Sequence, residues 1–229
     1  MSSVNKLSKR CVVLLSGGLD SATALYFARS KGFLPYCLIF DYGQRHRREI
    51  ASAKKVARAA GCGFKVVKFS LPWNGSSLLD RKMGVPEASR RRPAGIPNTY
   101  VPARNTIFLS FALSFAEAAG AEAVFIGANA VDYSGYPDCR PEFFRAWEKV
   151  ISLGTKSGVE KKKIRIAAPL IDMTKAGIIR MGEKLGVPYE LTWSCYRGLA
   201  KPCGDCESCF YRAKGFREAG IKDPALGAE

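Results

Sequence analysis

The sequence predicts an α/β fold, a doubly wound and mostly parallel sheet with a small cysteine-rich tail at its C-terminal end. Three observations predict it. Short apolar runs alternate with stretches of helical periodicity, a glycine turn joins the first apolar run directly to a helix, and four cysteines cluster near the C-terminus. Short β-rich runs separated by helices favour parallel pairing with both sheet faces covered, and such sheets bind ligands beyond the C-terminal strand ends.

The elements follow in order. Val12–Leu15 reads as a short buried strand, Ser21–Ser30 as a helix and Tyr36–Phe40 as a second strand. Arg47–Ala60 reads as a long amphipathic helix stopped by Gly61, and Phe64–Phe69 as a third strand. Residues 70–103 break this βαβαβ rhythm: five of the 12 prolines (Pro72, Pro86, Pro93, Pro97, Pro102) lie there around an Arg-rich middle. A loop of this length in a compact domain is expected to be a binding loop or a mobile lid near the substrate. The alternation resumes with a helix over Thr106–Ala119, a strand at Ala123–Ile126, a helix from Glu142 to about Leu153, a strand at Ile164–Ala167 and a helix over Lys175–Leu185.

A chain of 229 residues with 47% hydrophobic content can bury one substantial core. One nucleotide-binding domain over residues 1–190, with a metal-binding segment over 191–229 packed on it, is the expected organisation. No apolar stretch approaches the ~20 residues needed to cross a bilayer, and Met1–Lys6 lacks a signal-peptide apolar region, so a cytoplasmic protein is expected. Of the eight cysteines, Cys11, Cys37 and Cys62 lie in apolar or helical surroundings, which fits a reducing compartment better than a disulfide framework.

The 36 Lys and Arg residues exceed the 20 Asp and Glu by enough to give +16. Basic runs occur at Arg45–Arg48, Arg90–Arg92 and Lys161–Lys163. Two readings stay open: a nucleic-acid surface with steep salt dependence, or a solvated basic face around sites for anionic small molecules. No aromatic-interleaved single-strand platform tips the balance.

Ser16-Gly17-Gly18-Leu19-Asp20-Ser21 sits at the first strand-to-helix turn. Its glycines let the backbone approach an anion, the hydroxyls of Ser16 and Ser21 can donate to phosphate oxygens, and the following helix points its positive end at the ligand. No Gly-Lys-Ser/Thr follows, so this is not a Walker A loop. The segment from Leu15 through Ser16, Gly17, Gly18, Leu19, Asp20, Ser21 and Ala22 to Thr23 is the expected phosphate-binding site. It resembles the pyrophosphate loop of ATP pyrophosphatases, which implies cleavage between the α- and β-phosphates and AMP transfer to an acceptor.

Cys195, Cys203, Cys206 and Cys209 have metal-ligand spacing, and Pro202, Gly204 and Asp205 let the backbone turn between them. Four sulfurs predict a closed structural Zn2+ site. An iron–sulfur cluster is the chemical competitor, but no cysteine follows three residues after Cys209. His46 is the single histidine. A multi-histidine catalytic zinc is therefore excluded, a Ser-His-Asp triad has only His46 to use, and its Arg-rich surroundings suggest a surface residue.

The segment Gly127–Phe143 leaves a strand at its C-terminal end and holds Asp132, Asp138 and Arg140 within nine residues. Together with Asp41–His46, Val101–Asn105, Pro169–Lys175 and the cysteine tail, it closely resembles the 7-cyano-7-deazaguanine synthase family, over about Val12 to Pro224. The departures are Ala103, where the family often has Gly, and Gly198-Leu199-Ala200-Lys201 before the paired cysteines.

The resemblance implies a Rossmann-like fold of the adenine nucleotide alpha-hydrolase type. It also implies an ATP-dependent carbon–nitrogen ligase that turns 7-carboxy-7-deazaguanine and ammonia into the nitrile, in queuosine or archaeosine biosynthesis. Mg2+ should bridge the ATP phosphates. Asp20 would orient it, and Arg104 and Lys175, the latter with Thr174 as cap, would compensate phosphate charge; a surface ion pair is the alternative for each. Asp132 and Asp138 would accept from the purine N1–H and exocyclic amine, while Arg140 would meet the substrate carboxylate. Turn formation is the alternative for both aspartates. Free small molecules are the expected partners, with tRNA not required, no membrane, and a homodimer as an admissible assembly. The rival readings are a tRNA-modifying enzyme such as a thiolase, which would need a reactive cysteine pair or an added tRNA domain, and a non-enzymatic zinc-bearing nucleic-acid module.

Overall fold

A computed structural model describes residues 9–88, 95–131, 135–162 and 164–225. The chain runs β1 (Lys9–Leu14), α1 (Leu19–Ser30), β2 (Phe33–Asp41), α2 (Arg48–Ala59), β3 (Gly63–Lys68), α3 (Arg104–Ala119), β4 (Ala123–Ile126), α4 (Pro141–Gly154), α5 (Lys156–Val159), β5 (Arg165–Ala167), α6 (Lys175–Lys184) and α7 (Glu207–Ala219). Single 3-10 turns lie at Pro137–Cys139 and Tyr189–Leu191. The sheet order is β3-β2-β1-β4-β5, and every pairing is parallel. The winding direction reverses between β1 and β4, which opens a crevice beyond their C-terminal ends.

Side chains alternate across the strands and split the core in two. Cys11, Val13 and Leu15, with Cys37 and Ile39, bury one sheet face under α1 and α2. Val12 and Leu14, with Leu38, Phe40, Val124 and Ile126, bury the other under α3 and α4. In α2 the buried positions Ile50, Ala53, Val56 and Ala57 recur at helical spacing. Every strand and helix expected from the sequence is present, with ends displaced by a few residues and β4 unchanged.

Helix α7 is the one long element the sequence reading did not supply. Its Phe216 joins the core beneath α1 and α2, and its Gly215 packs against Lys175 and Ile179 of α6. Ala103, just before α3, has φ of 51°, the left-handed region in which a glycine is unstrained, so a residue type expected there on family grounds has a backbone reason.

The expected mobile lid is corrected over its described parts. Leu71, Leu78 and Val101 are buried in the α3 face of the core, Ser76, Ser77 and Thr99 are buried with them, and Arg45 donates to the carbonyls of Ser77 (3.2 Å) and Met83 (2.8 Å). Glu87 bridges Cys206, and Ala88 N–H donates to the Asp205 carbonyl at 2.7 Å. Residues 70–88 and 95–103 thus form a packed wall, because their apolar side chains have a core to enter. Arg90–Arg92 lie outside the described residues, as does Lys163.

Candidate active site

A cleft of about 250 Å³ opens at the reversal between β1 and β4, and it draws together Ser16, Gly18, Asp20, Ser21, Arg104 and Lys175. Within the loop, the Ser16 backbone N–H donates to Ser21 Oγ at 3.2 Å, and the Ser21 hydroxyl donates to the Gly18 carbonyl at 3.0 Å. Gly17 has φ of 88°, and a Cβ there would stand 2.7 Å from the Ala53 nitrogen of α2. On the other side, a Cβ on Gly127 would stand 2.7 Å from the Ser21 nitrogen. Two glycines therefore let α2 and the end of β4 clamp the loop, leaving its remaining donors toward the cleft.

Lys175 Nζ donates to both Asp20 carboxylate oxygens, at 2.8 and 2.7 Å. Its position follows from the start of α6, where Thr174 Oγ1 accepts from Gly177 N–H at 3.1 Å as a side-chain cap. Arg104 opens α3, donates to the Tyr42 hydroxyl at 3.2 Å and stands over the Phe108 ring at 5.9 Å.

Of the expected purine-reading residues, Asp138 and Arg140 are described. Asp138 is buried and faces α3: its Oδ2 accepts from the Asn105 backbone N–H at 3.0 Å, while Asn105 Nδ2 donates to the Asp138 carbonyl at 3.0 Å. This is the capping bond that Ala103 cannot supply. Arg140 is exposed and donates to the Pro137 carbonyl of its own turn at 3.3 Å. Neither lines the cleft. Asp132 lies outside the described residues.

The structure adds residues that sequence reasoning missed. Tyr42, Glu49, Tyr136, Trp193, Tyr196 and Arg212 also line the cleft. Tyr42 and Tyr136 lie inside the Asp41–His46 and Gly127–Phe143 segments that carry the resemblance, and Glu49 follows the first of them in the first turn of α2; Trp193, Tyr196 and Arg212 come from the tail, far from these in sequence. Burial pushes the Glu49 carboxyl up to about 7, although the Arg104 charge and a hydrogen bond from Gln44 oppose it. Cys139, also in the lining, is pushed up to about 12 by burial and the neighbouring Asp138 charge. Such a thiol stays protonated and inert at neutral pH.

The four tail cysteines converge, with all sulfurs within 4.8 Å of one another. Cys195 and Cys203 sulfurs are 3.5 Å apart, and Cys203 and Cys209 sulfurs 3.9 Å. A tetrahedral ion with bonds of about 2.3 Å needs sulfurs roughly 3.8 Å apart, and these two separations lie on either side of that value, so the donor set is of the right kind and spacing to close on a metal. Trp193 and Tyr196 both pack against the cluster and line the cleft, and Trp193 bonds to each side: its Nε1 donates to the Cys195 carbonyl at 2.8 Å, and its backbone N–H donates to the Gly17 carbonyl at 2.9 Å.

His46 departs from expectation. It is half-buried and packed against Gly198, where any Cβ would collide with the imidazole, because the tail folds back over the start of α2. Burial lowers its pKa, and it does not line the cleft.

An all-parallel doubly wound sheet, with a glycine loop at its switch point and four converging cysteines in the tail, defines an α/β protein of the nucleotide-handling kind whose cysteine cluster can hold a metal. The sequence matches the family described as Queuosine biosynthesis protein QueC over residues 10–220, and the chain belongs to that family. A 7-cyano-7-deazaguanine synthase of Anaeromyxobacter sp. (strain Fw109-5) is 56% identical over 226 residues, covering 96% of each chain. The protein of that name from Anaeromyxobacter dehalogenans (strain 2CP-C) is 52% identical and covers 100% of each. That of Thermoplasma acidophilum (strain ATCC 25905 / DSM 1728 / JCM 9062 / NBRC 15155 / AMRC-C165) is 55% identical and covers 94% of this chain and 91% of its own. Among the described residues no helix is long and apolar enough to cross a membrane.

Proposed function

We propose that this chain converts 7-carboxy-7-deazaguanine and ammonia to 7-cyano-7-deazaguanine at the expense of ATP. The observation that carries the reading, beside family membership, is the single cleft in which the loop Ser16–Ser21 meets Arg104 and Lys175. A carboxylate is a poor electrophile and hydroxide a poor leaving group, so adenylation at one oxygen comes first. Ammonia then gives the amide, and a second activation at the amide oxygen allows dehydration to the nitrile.

Loop N–H groups and the hydroxyls of Ser16 and Ser21 hold the phosphates, and the α1 N-terminus lies behind them. Arg104 and Lys175 offset the negative charge that builds as pyrophosphate departs. Asp20 would hold Mg2+, which would neutralise phosphate charge; in the structure Lys175 pairs with the same carboxylate. Residues 1–190 carry this chemistry. Residues 191–229 hold Zn2+ in the tetrathiolate cluster, whose role is to fix Trp193 and through it the loop.

The substrate is the free base and tRNA is not required. A thiolation reaction needs a reactive sulfur at the site, and Cys139 is pushed up to about 12 there. The test is release of AMP and pyrophosphate with 7-carboxy-7-deazaguanine and ammonia, measured with and without tRNA. AMP and the nitrile in both assays are expected. Turnover that requires tRNA, or ADP and orthophosphate in place of AMP, overturns the reading.

A further inference from the structure

The cleft contains two carboxylates, and they are held differently. Asp20 is tied through both oxygens to Lys175. Among the described residues Glu49 forms no ion pair, although the Arg104 charge acts on it. It sits in the first turn of α2, where Gly17 brings the phosphate loop against its backbone carbonyl, so the side chain stands beside the place where the loop holds an anion. Gln44 is fixed nearby: its Nε2 donates to the Phe40 carbonyl at 3.0 Å and its Oε1 accepts from Tyr42 N–H at 2.8 Å, and its amide favours the charged Glu49 carboxylate.

We propose that Glu49 is the catalytic proton acceptor for the nitrogen nucleophile, an assignment that rests on the ligation reading above. Ammonia adds to the activated carboxyl carbon and the C–N bond forms. One N–H proton passes to the Glu49 carboxylate, and the C–O bond to AMP breaks with its electron pair leaving on the phosphate oxygen. Glu49 then returns the proton to water.

The other groups around this position are unsuited to the task. Tyr42 from the β2–α2 connection is raised by burial and its hydroxyl accepts from Arg104 of α3. The Tyr136 hydroxyl is shared with Thr99 at 2.7 Å. Cys139 is pushed up to about 12. Lys175 and Arg212 are engaged with Asp20 and Asp223. A carboxyl pushed up to about 7 by burial is matched to general-base work near neutral pH.

The experiment separates activation from nitrogen transfer in the intact protein. Wild type and Glu49→Gln are compared for pyrophosphate–ATP exchange dependent on 7-carboxy-7-deazaguanine, for hydroxamate formation with hydroxylamine, and for ammonia-dependent product. Hydroxylamine is largely neutral at pH 7 and needs less help from a base. Glu49→Gln is expected to keep exchange and hydroxamate within about threefold, and to lose about 10²–10⁴-fold in the ammonia reaction. Glu49→Asp is expected to recover part of it, and the acidic limb near pH 7 in the wild-type ammonia profile is expected to vanish in Glu49→Gln. Ammonia-dependent turnover that survives Glu49→Gln, or exchange lost together with it, overturns the proposal. Absence of exchange in the wild type overturns the ligation reading itself.

Discussion

Lys175 and Asp20, 155 positions apart, form the best-aligned ion pair at the cleft: Nζ lies 2.8 and 2.7 Å from the two carboxylate oxygens, with the lysine side chain 9% and the aspartate 28% exposed. The pair links the phosphate loop to α6. A charge that would otherwise repel triphosphate is cancelled until a cation or nucleotide arrives, and the ammonium is held where phosphate charge must be met.

Removal of either partner is therefore expected to act on nucleotide chemistry before it acts on folding. Asp20→Asn and Lys175→Ala should each lower AMP formation by at least about 10²-fold, the loss typical of one preorganised electrostatic group. The metal content should be unchanged, since neither residue supplies a sulfur to the cysteine cluster. Full AMP formation in Lys175→Ala would reduce this contact to a structural ion pair.

Gly127→Ala is expected to be inactive while remaining folded. Its new methyl would stand 2.7 Å from the Asp20 carbonyl carbon and the Ser21 nitrogen, both backbone atoms that cannot swing aside. The loop must shift by several tenths of an ångström, enough to misplace donors that act at about 3 Å. Nucleotide binding by calorimetry is the measurement, and wild-type affinity would refute the clamp.

Arg212 and Asp223 form a second, structural pair at 2.7 and 2.8 Å, with both side chains 6% exposed. The guanidinium also donates to Thr192 Oγ1 at 2.7 Å and the Tyr189 carbonyl at 3.1 Å, so it joins α7 to the 3-10 turn beneath the cleft. Asp223→Ala leaves this charge buried with its counter-ion gone, and is expected to cost about 3–5 kcal/mol in urea unfolding. Arg212→Met with Asp223→Ala should cost less than Asp223→Ala alone.

The sheet and its switch point were legible because strand burial is written in local sequence: Cys11, Val13 and Leu15 against Val12 and Leu14 needs no partner to be seen. The cysteine cluster was legible for the same reason. Helix α7 was not, since its cysteine, Gly215 and polar residues mask an amphipathic pattern whose packing partner is α6. Asp138 showed as a polar residue in a turn, but that it caps α3 depends on Asn105, 33 residues earlier. Glu49 lay within the amphipathic stretch Arg47–Ala60 with no local feature to single it out. Only the tertiary fold sets it beside Gly17 and opposite Arg104.

For the metal, one zinc per chain and a colourless protein are expected, with Cys206→Ser losing the ion. Cys206 is fully buried at the start of α7 and bridges Glu87, so loss of the site frees both the tail and the wall formed by residues 70–88. A fall in melting temperature of about 10 °C is expected, near 2–4 °C per kcal/mol for this chain length. Metal analysis showing iron, with visible charge-transfer absorption in anaerobically purified protein, would overturn the zinc assignment.

The last expectation reads the Glu49 environment without any substrate. Burial raises this carboxyl from 4.5 to about 7. A carboxyl raised in the folded state binds its proton more tightly there than in the unfolded chain. Its contribution to stability is therefore complete below pH 4.5 and is lost as pH rises through about 7. Glu49→Gln carries a neutral amide of the same shape at every pH and escapes that loss. The melting temperature of Glu49→Gln relative to wild type should then be nearly level at pH 4.5, climb between pH 4.5 and 7, and flatten above about pH 8. The subtraction cancels the other carboxylates, which titrate alike in both proteins. A difference that stays constant across this range would place the Glu49 carboxyl at its ordinary value, and with it would go the match between this residue and proton transfer at neutral pH.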